Sequence, residues 1–152
     1  MSRFTFRLQS LLRLRCAQRD ERRTELAQAF RAEEILRRQR QEIAADIAHM
    51  RQRRSTPAGP LDIDALLDAA RHEFVLSSRQ KVLEEQSVQV SAEIERRRLA
   101  LVAADQQVRM LEKLKETAEQ RHRAWQQARE QKRLDEAAQQ LPSEGLRGME
   151  SP

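Results

Sequence analysis

The stretch "RRSTPAGPLDID", residues 53–64, limits the possible folds more than any other feature of the chain. Pro57 and Pro60 each lack an amide donor and disfavour helix in the residue before them. Gly59 lies between them, and no other proline occurs before Pro142. The flanks read as a helix end followed by a helix start. Arg51, Arg53 and Arg54 lie where helix carbonyls carry partial negative charge, and Asp62, Asp64 and Asp68 lie where free amides carry partial positive charge. Asp62 or Asp64 can cap the second helix.

What flanks the break points to helix alone. Charged residues make up 35% of the 152 positions, aromatics 3%, and there are three glycines and no tyrosine. A compact core lacks the bulky residues and turns it needs, while the abundant Ala, Leu, Glu, Gln and Arg all tolerate helix well. The expected fold is all-α: a two-helix antiparallel coiled-coil hairpin over 1–141, with a helix over 5–54, a turn over 55–62 and a longer helix over 63–140. Residues 142–152 are polar and are expected to form a disordered tail.

Long helices need a seam. In the second half Leu76, Leu83, Val90, Ala104, Leu111, Ala118 and Trp125 repeat by sevens, and Ile94, Leu101 and Val108 fill the alternating row, with Gln80, Ser87 and Arg97 as interruptions. In the first half Ala29, Leu36, Ile43 and Met50 form one row. Leu12, Leu26 and Ile47 belong to the other, which Arg19, Glu33 and Arg40 break. A turn centred near Ala58 makes residue i face a residue numbered about 117 − i. Ile43 then lies near Phe74, Ile47 near Ala70 and Phe4 near Lys113, which leaves Leu114 onward overhanging.

The positive charge is concentrated in the first helix. Residues 1–54 carry 14 Arg and 7 acids, whereas residues 61–140 carry 14 Lys or Arg and 15 acids. That imbalance suggests an acidic partner surface for the first segment. Catalysis finds no support. His49, His72 and His122 are isolated, and "RHEFVL" lacks the second histidine of a zinc-protease helix because position 76 is leucine. The glycines lie in the turn and tail, so no phosphate loop exists. No catalytic, metal or cofactor site is expected, and the chain does not read as an enzyme. Nucleic acid is disfavoured as a ligand, since acids interleave the bases after Arg19 and few aromatics are free to stack. Cys16 is the single cysteine, so no internal disulfide forms. No run approaches a spanning segment, and Arg7, Arg13 and Arg15 break every apolar run of a signal peptide; the chain reads as cytosolic.

The opening stretch "RFTFRLQSLLRLR", Arg3–Arg15, places Phe4, Leu8, Leu11 and Leu12 on one helical face. Helical sequence continues unbroken past it, so it reads as the first turns of a long helix rather than a cleaved presequence. These four residues are expected to pack near 102–113, with Arg7, Arg13 and Arg15 flanking them and facing a partner. A membrane-surface role stays open. Trp125 reads equally as a seam residue or as an exposed docking anchor.

"FTFRLQSLLRLR" followed by "DERRTELAQAF" resembles the amino-terminal signature of the FliJ family of bacterial flagellar export proteins. "LEKLKETAEQRHRAWQQAREQKRLDEAA", Leu111–Ala138, resembles its carboxy-terminal signature. The two stretches cover about a third of the chain. Between about Arg31 and Arg109 only the heptad style agrees. The resemblance implies an antiparallel coiled coil similar to the stalk of rotary ATPases, seated in the hexameric export ATPase FliI. It also implies contact with the export-gate protein FlhA at the cytoplasmic face of the inner membrane, binding of export chaperones, and a role in motility. The alternative is a structural coiled-coil scaffold with no part in export.

The seam residues expected from all of this are Phe4, Leu8, Leu11, Leu12, Ile43, Ile47, Phe74, Leu83, Val90, Ile94, Leu101, Val108 and Leu111. The expected partner-binding residues are Arg7, Arg13, Arg15 and Trp125.

Overall fold

The computed structural model describes residues 4–55, 59–60 and 62–140, the last without its side chain. Two helices account for nearly all of them: α1, Gln9–Ser55, and α2, Ile63–Gln140. They form a two-helix antiparallel coiled-coil hairpin, and the described residues contain no strand. The expected tail and half of the expected turn (Thr56, Pro57, Ala58 and Leu61) lie outside the described residues. Gly59 has φ of 110°, a conformation side chains rarely adopt. Asp62 is the cap of α2: its Oδ1 accepts from the amides of Asp64, at 3.1 Å, and Ala65, at 3.4 Å. At the other end of the break, Ser55 donates to the Gln52 carbonyl at 2.8 Å.

The chain divides into two compact units, one of residues 15–106 and one of residues 1–14 with 107–152. In the first, Ile43, Ile47, Leu76 and Leu83 form the core cluster, with Leu36 and Met50 packed against it. Ala29 and Ile94 are also buried, and Val90 and Leu101 are half-buried. The interruptions in the apolar rows meet one another. Arg40 of α1 reaches the Ser87 hydroxyl at 3.4 Å and Glu84 at 3.6 Å. Arg97, the break in the α2 row, donates to the Glu25 backbone carbonyl and at 2.7 Å to Glu93. Arg51 and Arg54 both bind Glu73, at 3.3 and 2.5 Å. As α1 positions fall from 54 to 25, their α2 partners rise from 73 to 97, which is the antiparallel pairing.

These pairs correct the expected register. Arg40 meets positions 84 and 87 where 117 − i assigns 77, and Arg51 meets 73 where it assigns 66. The slip is about one heptad, roughly 10 Å along the axis. A whole-heptad slip returns every apolar row to an apolar row, so periodicity alone cannot detect it; the polar pairs choose between the alternatives. Phe74 is corrected with it: 73% exposed, it stands off the seam because Glu73 and Leu76 occupy the facing positions. Ile63, Leu66 and Leu67 are exposed on the turns before it.

In the unit of residues 1–14 and 107–152, Leu12, Val108 and Leu111 are buried, and Val108 is fully enclosed. The start of α1 is also corrected, from Thr5 to Gln9. The Phe6 carbonyl accepts the Gln9 amide at 3.1 Å, closing a turn at Arg7–Leu8 ahead of the first helical residue. Phe4 lies against His122 rather than near Lys113, with ring centroids 5.5 Å apart. Leu8 and Leu11, each 37% exposed, lie at the edge of the packing rather than inside it, while Leu12 is buried.

Candidate partner-binding surface

The first unit's surface carries local ion pairs. Glu34 sits between Arg37 and Arg38, whose hydrogen bonds hold its carboxyl below the ordinary range. Glu93 is held down in the same way by Arg96 and then Arg97. Arg98 lies over the Phe30 ring at 5.4 Å. Arg15, one of the expected partner-binding residues, hydrogen-bonds Gln18 at 3.0 Å.

In the second unit an aromatic row runs from the amino-terminal segment onto α2. Phe4 contacts His122, His122 stacks on Trp125 at 6.1 Å with 26° between planes, and the Arg129 guanidinium lies over Trp125 at 5.3 Å. Spacings of three and four residues put His122, Trp125 and Arg129 on one helical face. Trp125 is 52% exposed, so it is not a buried residue of the seam. Its apolar surface is held in one orientation by neighbours on both sides.

Beside Phe4 lies a cleft of about 480 Å³ lined by Phe4, Thr5, Phe6, Gln9, Arg13, Lys115 and Glu119. Phe4 and Phe6 are half-buried and Arg13 is exposed. Glu119 is paired with Arg123 at 3.8 Å. Neither Arg13 nor Lys115 has an ion-pair partner among the described residues, and Arg7 is exposed nearby in sequence. The structure therefore brings Phe4 and Arg13 together at one cleft and places Trp125 on the adjoining row, but it gives Arg15 a partner of its own.

Sequence reading passed over His122, Lys115, Glu119 and Arg129. The signal for His122 and Arg129 was present in their spacing from Trp125. Lys115 and Glu119 become visible only once the register is known. Among the described residues no group of His, Cys, Asp and Glu could hold a metal ion, and no helix is long and apolar enough to cross a membrane. The arrangement combines exposed aromatic surface, cations with no ion-pair partner among the described residues, and a shallow cleft.

Comparison with curated proteins and with solved structures returns no match. The family model of the flagellar FliJ protein matches residues 4–147, so it spans both signature stretches and the middle that only heptad style had linked to them. With that match and the two-helix hairpin together, the chain belongs to the FliJ family of flagellar, export-related coiled-coil proteins.

Proposed function

We propose that this chain is the coiled-coil stalk of flagellar type III protein export. It binds the hexameric export ATPase, links it to the export-gate protein at the cytoplasmic face of the inner membrane, and escorts export chaperones. It acts by binding and not by catalysis. The observation that carries this reading is the family match over residues 4–147. The physical character of the surface agrees with it. No acid precedes Asp20, so the exposed Arg7 and Arg13 have no neighbouring carboxylate in sequence. Unpaired surface cations make polar, salt-sensitive contacts that form and release quickly, as a stalk within a working ring requires.

The test is ATP hydrolysis by the partner ATPase across ionic strength, with the wild-type chain and with Arg13→Glu plus Arg15→Glu. Helicity should hold, because Arg13 is exposed, Arg15 bonds only the nearby Gln18, and such surface charges contribute little to stability. Stimulation should fall, and the wild-type effect should be largest at low salt. A folded double variant that stimulates as well as wild type removes these arginines from the ring contact. A wild-type chain that neither stimulates nor co-purifies with the ATPase removes the stalk reading itself.

A further inference from the structure

We propose that the cleft beside Phe4 is a docking groove for a short acidic segment of a partner protein, one with a large apolar side chain next to a side-chain carboxylate. This names a ligand for the partner surface described above and rests on that end of the molecule being one.

Three observations converge. The apolar part of the cleft is Phe4 and Phe6, both half-buried, and Phe4 is held by its contact with His122, itself stacked on Trp125. An apolar side chain therefore meets a surface that is already ordered, so docking loses little further entropy. The charged part is Arg13 and Lys115, which have no ion-pair partner among the described residues, while the one acid of the lining, Glu119, is engaged by Arg123. Finally, α1 begins at Gln9 in the cleft wall with no acidic residue in its first turn, so the positive end of the helix dipole is uncompensated there. The field selects an anion and the phenylalanines select an apolar neighbour to it. The volume, about 480 Å³, falls in the range of small-ligand pockets. A flat anionic membrane fits less well, because the half-buried Phe4 and Phe6 line a concave cleft that a single side chain can enter and a flat surface cannot.

The experiment uses the full-length chain without any ATPase, so that its outcome is separate from that of ATPase stimulation. Two fluorescein-labelled hexapeptides with blocked ends, Leu-Asp-Glu-Phe-Glu-Leu and Leu-Lys-Arg-Phe-Lys-Leu, are titrated by fluorescence anisotropy at low and at moderate salt. The acidic peptide should bind about tenfold more tightly than the basic one, with the difference shrinking as salt rises. Arg13→Glu plus Lys115→Glu should abolish that preference while circular dichroism stays helical. Glu119→Gln should tighten the acidic peptide by a few-fold, a gain that misfolding cannot produce. Equal binding of the two peptides overturns the proposal, as does indifference of the acidic peptide to the double variant. It is overturned equally if phosphatidylserine vesicles bind through Arg13 and Lys115 while the acidic peptide does not.

Discussion

The two units of the hairpin solve the same packing problem with different chemistry. In residues 15–106 the apolar rows are repeatedly broken, and the breaks are matched: Arg40 with Ser87 and Glu84, Arg97 with the Glu25 carbonyl, Arg51 and Arg54 with Glu73. In residues 1–14 and 107–152 the packing centres on the fully buried Val108 with Leu12 and Leu111, and ends in a row of rings. Apolar contacts are non-directional and leave a heptad slip nearly cost-free. Polar pairs are directional and lose their partners when the register moves. The polar crossings of the first unit are therefore what fix which residues face each other there, whereas the second unit relies on the apolar cluster around Val108.

On that division, the largest effect comes from placing a charge at the fully buried Val108. Val108→Asp buries a carboxylate with no partner where the wild-type side chain has no exposure, and should lower stability by about 3 kcal/mol. Urea denaturation followed by circular dichroism measures it. Glu112→Gln, on the exposed side of the same helix, should be nearly silent. Similar losses in both would mean that Val108 is not the centre of the packing.

A smaller loss is expected from the core of the other unit. Ile43→Ala removes a buried side chain from the cluster of Ile47, Leu76 and Leu83, for about 2 kcal/mol, the low end of such deletions because a two-helix layer can close over the gap. Urea midpoints for Leu83→Ala and Leu111→Ala, which remove the same atoms from the two units, rank the two cores. A larger loss at Leu83 would reverse the comparison.

The polar breaks should show the opposite sign. Arg40→Leu plus Ser87→Leu replaces a polar crossing by an apolar one and should raise stability by about 1 kcal/mol. The same change should loosen the register. A cysteine pair at 43 and 76 should cross-link in the otherwise unchanged chain, and a separate pair at 43 and 69 should cross-link only in the leucine variant, both in a Cys16→Ser background. A variant that is more stable and still cross-links only at 43 and 76 would show that register is set elsewhere.

Much of this was legible in the residues. The α2 rows through Leu76, Leu83, Ile94, Val108 and Leu111 follow from spacing because burial and heptad period are the same fact seen twice. The break at Pro57–Pro60 separates the helices because proline chemistry is local. The facing of the helices was not legible, since a one-heptad slip leaves the pattern unchanged and is decided by long-range pairs such as Arg51 with Glu73. Phe74 is off the seam because facing read from the turn alone differs by about a heptad from that of the polar pairs, whereas Leu8 and Leu11 share the apolar face of Leu12 but lie at the edge of its packing. The candidate surface was half visible. Arg13 and Trp125 drew attention as residue types, but Lys115 and Glu119 look like any surface pair until the amino-terminal segment is laid against them.

The smallest expected effect concerns protons, and it tests whether the polar crossings couple the helices. Hydrogen bonds from Arg96 and then Arg97 hold the Glu93 carboxyl below its ordinary value of 4.5. A carboxyl whose pKa is lower in the folded chain contributes stability above the unfolded value and loses it as pH falls through the folded one. Stability should thus decline on acidification below about 4.5, and Glu93→Gln should remove part of that decline. Glu34 provides the control. Arg37 and Arg38 lower its pKa in the same way, but all three residues belong to α1. Arg97, by contrast, also donates to the Glu25 carbonyl across the hairpin, so protonating Glu93 frees a side chain that joins α2 to α1. Both groups are solvated and salt-screened, so the readout is a difference in urea midpoints between pH 7 and pH 3. That difference should shrink more in Glu93→Gln than in Glu34→Gln. Equal behaviour of the two variants would mean that Arg97 holds its crossing without Glu93, and that the directional link in this unit rests on Arg40 and Glu73 alone.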